Sequence, residues 1–347
     1  MAGSIYIGPH DNRYADTDSA VSAGVYVLEL AGQDDEFAAY EAEHAASDVS
    51  HLAPGLVTAR AITDHVEHLA YTHRASELIG RGVPTVADAE AILSAATLDC
   101  EGSVAVRAVD VRSTTGIDTQ AVERTLGNVL VERGFDIDLD NPDHELRALF
   151  SGGETGTCAL GWLVAETDRG FGERAPTDRP FFQPGSMDPM LARALANIAG
   201  ARPGTTVLDP MCGTGGILIE AGLTGAEVIG LDVQEKMTRG TRENLADALG
   251  EGYNVLRGTA GNLPLSENAV DTVVFDAPYG RQSKIEGDLG ELVYDALCEA
   301  RRVASRCVVV GDKPWAQPAH NAGWTTEAVF DRRVHRSLTR YIVVLRS

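Results

Sequence analysis

Four residues, Asp276-Ala277-Pro278-Tyr279, follow directly on the apolar run Val273-Val274-Phe275 and are closed by Gly280. Their types suit chemistry on an exocyclic amino group of a base. The lone pair of such a nitrogen is delocalised into the ring, so it attacks only when its N–H bonds are held in place. The Asp276 carboxylate and the Ala277 carbonyl are two acceptors that can hold them. Pro278 stiffens the turn so that the carbonyl points outward, and Tyr279 offers a ring against which a base taken out of its stack can lie. Such stacking is typically worth about 1–3 kcal/mol. Taken alone, the stretch also fits a surface turn, and the elements upstream must decide.

The second informative stretch is Thr206-Val207-Leu208-Asp209-Pro210-Met211-Cys212-Gly213-Thr214-Gly215-Gly216, with helical spacing over 217–223. A buried strand that breaks into a glycine loop and opens a helix lets a ligand approach the backbone and the helix N-terminus. Asp209, Pro210, Cys212, Gly213, Thr214 and Gly215 are therefore candidate cofactor contacts. A dinucleotide fingerprint would want a further glycine where Leu218 stands. The next strand ends in Asp232, 16 residues beyond Gly216, where a carboxylate can accept both hydroxyls of a ribose. That feature is common to NAD and S-adenosylmethionine sites. Asp209 separates them, since an acid at the first strand end suits the amino group of a methionine moiety and repels a pyrophosphate. Cys212 is expected to be a small buried filler rather than a nucleophile. Asp276 follows Asp209 by 67 residues, at the end of a fourth strand. Glycine loop, ribose acid and amino-group motif in this order make the surface-turn reading untenable.

Composition bounds the rest. The 347 residues allow two or three domains, and 44% hydrophobic content supports packed cores. Asp and Glu number 51 against 29 Lys and Arg, a net charge of −22, which ordinarily argues against a polyanionic partner. Lys236, Lys284 and Lys313 are the only lysines. An acidic, arginine-biased chain resembles proteins of salt-accumulating archaea, in which counterion release contributes little to RNA binding. RNA contacts are then expected from focused arginines, whose planar forks suit phosphates and bases. Five cysteines, Cys100, Cys158, Cys212, Cys298 and Cys307, lack metal or disulfide spacing, so no metal is expected and a reducing cytoplasm is the natural compartment. The N-terminal residues do not read as a signal peptide, and no segment approaches a membrane span.

Along the chain, residues 1–22 read as a polar extension, and a small α+β unit follows over 23–80, with a strand at 25–30, a helix over 36–46, a strand at 56–61 and a helix over 65–79. His65, His68 and His73 are read as polar positions on that last helix. A helix over 86–96 follows. A second unit, 81–167, carries a strand at 104–112 with Arg107 and Arg112, a helix capped by Asp118 and stopped by Gly134, an alternating strand over 137–143, and strands at 146–150 and 158–165. Residues 168–177 read as a linker. Asp188 caps an entry helix with Pro189 in its first turn. Near the C-terminus, Arg333, His335, Arg336 and Arg340 crowd the apex of a final hairpin and suit RNA backbone contact as well as a solvated charge run.

The unit over 81–167 resembles a THUMP domain, a small RNA-binding module, and the preceding one resembles the ferredoxin-like domain that accompanies it; residues 68–76 and 137–143 carry most of the likeness. Residues 178–347 resemble an α/β Rossmann-type class I methyltransferase, a doubly wound sheet with an antiparallel last hairpin. Pro184-Gly185-Ser186-Met187 and Asp276-Ala277-Pro278-Tyr279-Gly280-Arg281, with the THUMP-like unit, are similar to the archaeal tRNA (guanine(10)-N2)-methyltransferase and dimethyltransferase family. The resemblance implies S-adenosylmethionine as cofactor, tRNA as partner, and one methyl, then a second, on the guanine amino group. It implies that the segment with Phe182, Pro184, Gly185 and Ser186 lies over the cofactor, that the chain is monomeric, and that a small zinc-binding activator protein can accompany it. Two positions depart from the family pattern. Thr259 stands where an acid usually receives the adenine amino group, leaving that contact to Thr259, Asn262 or a backbone group. Ala277 replaces a proline, which keeps the carbonyl but loosens the turn. The same chemistry on another tRNA or rRNA guanosine, or an RNA-binding module with weak turnover, stands beside this reading.

Overall fold

The computed structural model describes residues 22–279, 286–335 and 338–347. Nearly all of the N-terminal extension, together with Arg281 and Arg336, lies outside the described residues. The chain forms two compact units, one ending at Asp168 and one running from Arg169 to Ser347. Among the described residues no helix is long and apolar enough to cross a membrane.

The first unit is built on β1 (Ser22–Leu30), α1 (Asp35–Ala42), β2 (Ala46–Ser47), β3 (Ser50–Ala53), β4 (Leu56–Ile62), β5 (Thr72–Gly82), α2 (Val86–Ala95), β6 (Ser103–Asp110), α3 (Thr119–Glu132), β7 (Asp136–Ile137), β8 (His144–Ser151) and β9 (Thr157–Glu166). Its strands form one sheet in the order β2-β4-β1-β5-β9-β8-β6-β7, with β3 on β4. The helix expected over 65–79 is not formed. His65 and His68 lie on a short 3-10 turn, and His73 lies on β5. β5 pairs with β1 on one side and β9 on the other, and its register with β9 slips between Ala75 and Ser76 and again between Leu78 and Gly80. Bulges of this kind break strict alternation, which hides a central strand behind apolar spacing that mimics a helix. The suggested boundary at residues 80 and 81 falls within β5. The strand expected over 137–143 stops after Ile137, because Asp138 Oδ1 accepts the N–H groups of Asp140 and Asn141 at 2.9 and 3.0 Å and turns the chain.

The second unit comprises α4 (Pro189–Ala199), β10 (Thr206–Asp209), α5 (Gly216–Leu223), β11 (Glu227–Asp232), α6 (Glu235–Leu249), β12 (Tyr253–Arg257), β13 (Thr272–Asp276), α7 (Glu286–Val303), β14 (Arg306–Gly311), α8 (Ala316–Asn321), β15 (Thr325–His335) and β16 (Leu338–Arg346). The sheet order is β12-β11-β10-β13-β14-β16-β15. The first five strands run parallel, and β16 returns antiparallel between β14 and β15. The parallel strands are buried on both faces, so Leu208, Phe275 and Val309 join one core with residues of α7 such as Val293 and Leu297. Asp188 caps α4 through the N–H groups of Met190 and Leu191, and Leu191, Leu195 and Ile198 point into the core as their spacing requires.

The stretch that reads as a linker packs into this unit. Phe171 is buried beneath the guanidinium groups of Arg169, Arg174 and Arg193, at 5.6, 5.2 and 5.9 Å from its ring centre. Arg174 Nε and Arg193 Nη2 both donate to Glu220 of α5, each at 2.9 Å, and Glu220 and Arg193 are 0% and 1% exposed. A buried carboxylate between two guanidinium groups is stable only while both signs are present. Replacing Glu220 by Gln should therefore cost about 3–5 kcal/mol, because it removes the buried negative charge that both guanidinium groups share. Denaturant titration reads this as a lower midpoint; an unchanged midpoint would mean that the arginines find other compensation.

Candidate active site

β10 and β13 are parallel neighbours, registered Val207 to Thr272 and Leu208 to Val273, and each ends in an aspartate. The strand order reverses direction between them. In doubly wound sheets the crevice at such a point, beyond the carboxyl ends of the strands, is where ligands bind. A cleft of about 190 Å³ opens there, with Asp209 and Asp276 in its wall. Pro184, Gly185, Ser186, Cys212, Gly213 and Thr214 line it too, so eight of the sixteen catalytic and cofactor residues expected from the sequence meet in one place. Gln183, Met187, Met211, Gly216, Ile217 and Met237 complete the lining. The first four adjoin residues expected from the sequence, and Ile217 lies one position further along α5. Met237 carries no local signal, since α6 reaches the cleft only through tertiary packing.

The loop after β10 is held by its backbone. Gly213 and Gly215 have φ of 53° and 79°, and Gly215 lies so close to α6 that a Cβ there would come within 2.9 Å of Thr241. Thr241 Oγ1 donates to the Gly213 carbonyl at 2.7 Å. The Gly213 N–H donates to Asp232 Oδ2 at 3.1 Å, and the Gln234 N–H donates to Asp232 Oδ1 at 2.8 Å, which ties the loop to the end of β11. Asn244 of α6 is a clasp: its amide nitrogen donates to the carbonyls of Phe181 and Thr214 at 2.8 and 2.9 Å, while its oxygen accepts the Phe181 N–H at 2.8 Å. The hydroxyls of Ser186 and Thr214 are 3.1 Å apart. The segment bearing Pro184 and Gly185 is thereby fastened across the glycine loop. Cys212 is buried, and burial, helped by Asp209, pushes its thiol well up, so it is a packing residue and no thiolate.

Asp209 is 2% exposed and accepts the Met211 N–H at 3.0 Å. Burial raises its pKa well above the usual carboxylate value, and the charges of Asp232 and Asp276 raise it further against the pull of that N–H. The Asp276 side chain is 23% exposed. The Tyr279 hydroxyl donates to Asp276 Oδ1 and Oδ2 at 2.8 and 3.1 Å, and Arg340 Nε donates to the Tyr279 oxygen at 2.8 Å. Burial raises the Asp276 pKa, opposed by Arg340 and by the Tyr279 hydrogen bond and assisted by Asp312. Ala277 does not loosen the motif as its replacement of proline suggested. Its N–H donates to the Val310 carbonyl at 2.8 Å, a bond that proline cannot make, and this pins the motif to β14. Pro278 is exposed.

Other selected residues fall elsewhere. Pro210, Gly215, Asp232, Thr259, Asn262, Ala277, Pro278 and Tyr279 are not among the residues lining the cleft, although the last three adjoin Asp276, which does. Thr259 and Asn262 are exposed and bridge one another across a tight turn. Of the arginines expected to meet RNA, Arg112 is paired with Asp35 and Arg107 donates to the Leu139 carbonyl at 2.6 Å with Glu145 3.8 Å away. Arg340 is 6% exposed and stands behind Asp276 rather than at a basic apex. Arg333 is exposed, whereas the His335 side chain and Arg336 lie outside the described residues.

The raised pKa of Asp209 has a definite consequence for stability. The folded chain keeps this proton at pH values where the unfolded chain has lost it, so stability falls as pH rises from the ordinary carboxylate range towards the folded-state value. Asp209→Asn removes that penalty and keeps an acceptor for the Met211 N–H. The variant should exceed the parent in denaturation midpoint near neutral pH and converge with it near about pH 3, below both carboxylate values. Equal midpoints near neutrality would show that the site does not strain this acid.

Comparison with known proteins adds an independent line. A family model described as an RMKL-like methyltransferase domain matches residues 176–342. The tRNA (guanine(10)-N2)-dimethyltransferase of Methanothermobacter thermautotrophicus is 35% identical over 291 residues, 80% of this chain and 83% of that protein. Its counterpart from Pyrococcus abyssi is 30% identical over 251 residues, 71% and 74% of the two chains. A tRNA (guanine(6)-N2)-methyltransferase of Thermus thermophilus is 34% identical over 183 residues, 51% of each. With identity at that level sustained across both of its units, the chain belongs to the tRNA (guanine(10)-N2)-dimethyltransferase family.

Proposed function

We propose that this protein transfers methyl groups from S-adenosylmethionine to the exocyclic N2 of guanosine 10 in tRNA, one and then a second on the same nitrogen. The observation that carries this reading is the sharing of one cleft by two kinds of group, a glycine loop with a buried acid on one side and Asp276 on the other. The residues fit the methyl donor. Gly213 lines the cleft, and a Cβ added there would meet no atom within 4 Å, so the backbone is open to a ligand. Asp209 is a desolvated carboxylate whose cost an ammonium group would relieve. Asp232 keeps lone pairs beyond the two N–H groups it accepts, which suits ribose hydroxyls.

When bound, S-adenosylmethionine supplies a methyl group activated by its sulfonium. The chain's own part is to prepare the nitrogen that attacks it. In the first transfer Asp276 accepts one amino N–H and the Ala277 carbonyl the other, which turns the lone pair out of conjugation and towards the cleft; one of these protons is released as the N–C bond forms, and in the second transfer Asp276 holds the single N–H that remains. The Tyr279 ring offers a stacking face for the base. Holding both reactants in one crevice converts a bimolecular encounter into an oriented one, and that positioning supplies most of the acceleration. The unit ending at Asp168 is assigned to tRNA binding on its resemblance to a THUMP domain. With Arg107 and Arg112 already engaged inside that unit, other residues must meet the phosphates, and Arg333 of the second unit is one exposed candidate.

Mapping of methylated guanosines in tRNA, with and without the protein, tests the assignment. N2-methylguanosine and N2,N2-dimethylguanosine should arise at position 10; modification at another guanosine would move the site, and no modification would overturn the function. Asp276→Ala should abolish transfer, a loss of at least about a hundredfold, while leaving S-adenosylmethionine affinity within about twofold. A protein lacking residues 1–168 should bind S-adenosylmethionine normally but lose affinity for tRNA, measured by calorimetry and filter retention. Unchanged tRNA affinity would refute this division of labour.

A further inference from the structure

Arg340 stands behind Asp276 without lining the cleft, and it is among the most buried charged residues described, at 6% exposure. The antiparallel sense of β16 explains how it arrives there. The five parallel strands end at the edge of the sheet that bears the cleft, whereas β16 begins at that edge, so its first residues stand beside the site. Val310 and Gly311 of β14 pair with Ile342 and Tyr341, which leaves Arg340 just beyond the end of β14. There its Nε donates to the Tyr279 hydroxyl at 2.8 Å, and its Nη2 lies 3.7 Å from Asp276 Oδ2.

We propose that Arg340 is a positioning residue for methyl transfer, acting through the Tyr279 hydroxyl to aim the Asp276 carboxylate at the incoming amine. The proposal rests on the reading of Asp276 as the amine acceptor. A guanidinium can only donate, so the Tyr279 oxygen receives its N–H and has a single proton left to give, which goes to Asp276. That one proton spans both carboxylate oxygens and fixes the plane of the group. A carboxylate has about four acceptor sites, so positions for the amine N–H remain free.

The charges around Asp276 define the second half of the role. The Asp312 charge after β14 raises its pKa, Asp209 at the end of β10 shares the cleft with it, and Tyr279 is the neutral donor. Among the described residues that bear on Asp276 electrostatically, Arg340 is the one cation. Removing it leaves the carboxylate desolvated beside the Asp312 charge, which favours the protonated form that cannot accept an amine N–H on its protonated oxygen.

The test compares the full-length protein with Arg340→Gln, Arg340→Lys, Tyr279→Phe and the Arg340→Gln/Tyr279→Phe pair. Methyl transfer to tRNA is followed against pH at saturating S-adenosylmethionine, and the Asp276 carboxyl is titrated by carbon-13 NMR in the free protein. Arg340→Gln and Tyr279→Phe should each lower kcat about ten- to a hundredfold with little change in the KM for tRNA. Each should also move the acid limb and the Asp276 titration up by about one pH unit. Arg340→Lys should recover part of the pH shift because its charge remains, and the double variant should fall no further than the worse single one. Wild-type pH limbs and Asp276 titrations in Arg340→Gln and Tyr279→Phe would overturn the proposal. If Arg340→Gln fails to fold, Tyr279→Phe decides, since it removes the relay and leaves the guanidinium in place. If the parent protein methylates no tRNA, the function assignment fails, and the NMR titration still decides whether Arg340 and Tyr279 control Asp276.

Discussion

Three carboxylates stand at one end of a parallel sheet, and the rest of the second unit is arranged to make that possible. Asp209, Asp232 and Asp276 end β10, β11 and β13, and Asp209 is driven from solvent with the other two charges close enough to raise its pKa. Like charges in a desolvated crevice repel strongly, and each must be compensated by a donor that does not itself fill the crevice. Backbone N–H groups serve the first two: Met211 for Asp209, and Gly213 with Gln234 for Asp232. The glycine loop is thus a source of donors as well as a cradle. Asp276 lies in the same crevice and is served instead by side chains, Tyr279 and Arg340. Parallel strands bring acids to this edge; only a strand running the other way starts there and can return a cation to it.

The cover of the cleft follows from a separate set of buried polar contacts. Phe171 and Arg174 fix the start of the segment through Glu220 of α5, and Asn244 fixes its middle through Phe181. Ser186 then meets Thr214, so the loop with Pro184 and Gly185 is stretched between two anchored points. α6 participates at close range, since a Cβ at Gly240 would fall 2.0 Å from the Phe181 ring. An ordinary side chain at that position would push the ring, and the covering loop with it, away from the cleft.

The acidic composition takes on a structural meaning as well. In a chain with a net charge of −22, guanidinium groups find carboxylates within the fold before they find a ligand. Arg147 forms a two-pronged pair with Glu29 in the first unit, Arg112 pairs with Asp35, and Arg302 pairs with Glu299. Such forks satisfy two acceptors with one planar group, which suits a protein that places arginine at almost every basic position. Counting arginines along a strand therefore overestimates the charge presented to RNA.

The sequence by itself determined the parts of this protein whose signals are local. A strand breaking into Gly213-Thr214-Gly215-Gly216, an acid after the next strand, and Asp276-Ala277-Pro278-Tyr279 after the fourth are each written within a few consecutive residues. Their spacing along one doubly wound sheet brings Asp209, Cys212, Gly213, Thr214 and Asp276 to a common cleft. Tertiary structure alone decided the rest, because those features join residues far apart in the chain or depend on register. β5 is a strand because two neighbours pair with it through bulges that erase its alternation. Ala277 tightens its turn because the Val310 carbonyl lies opposite its N–H. Arg340 leaves the basic apex because β16 runs antiparallel and sets it behind Tyr279, 61 residues away in sequence. Periodicity and composition describe what a segment prefers alone, whereas hydrogen-bond partners across a sheet are chosen only when the strands assemble.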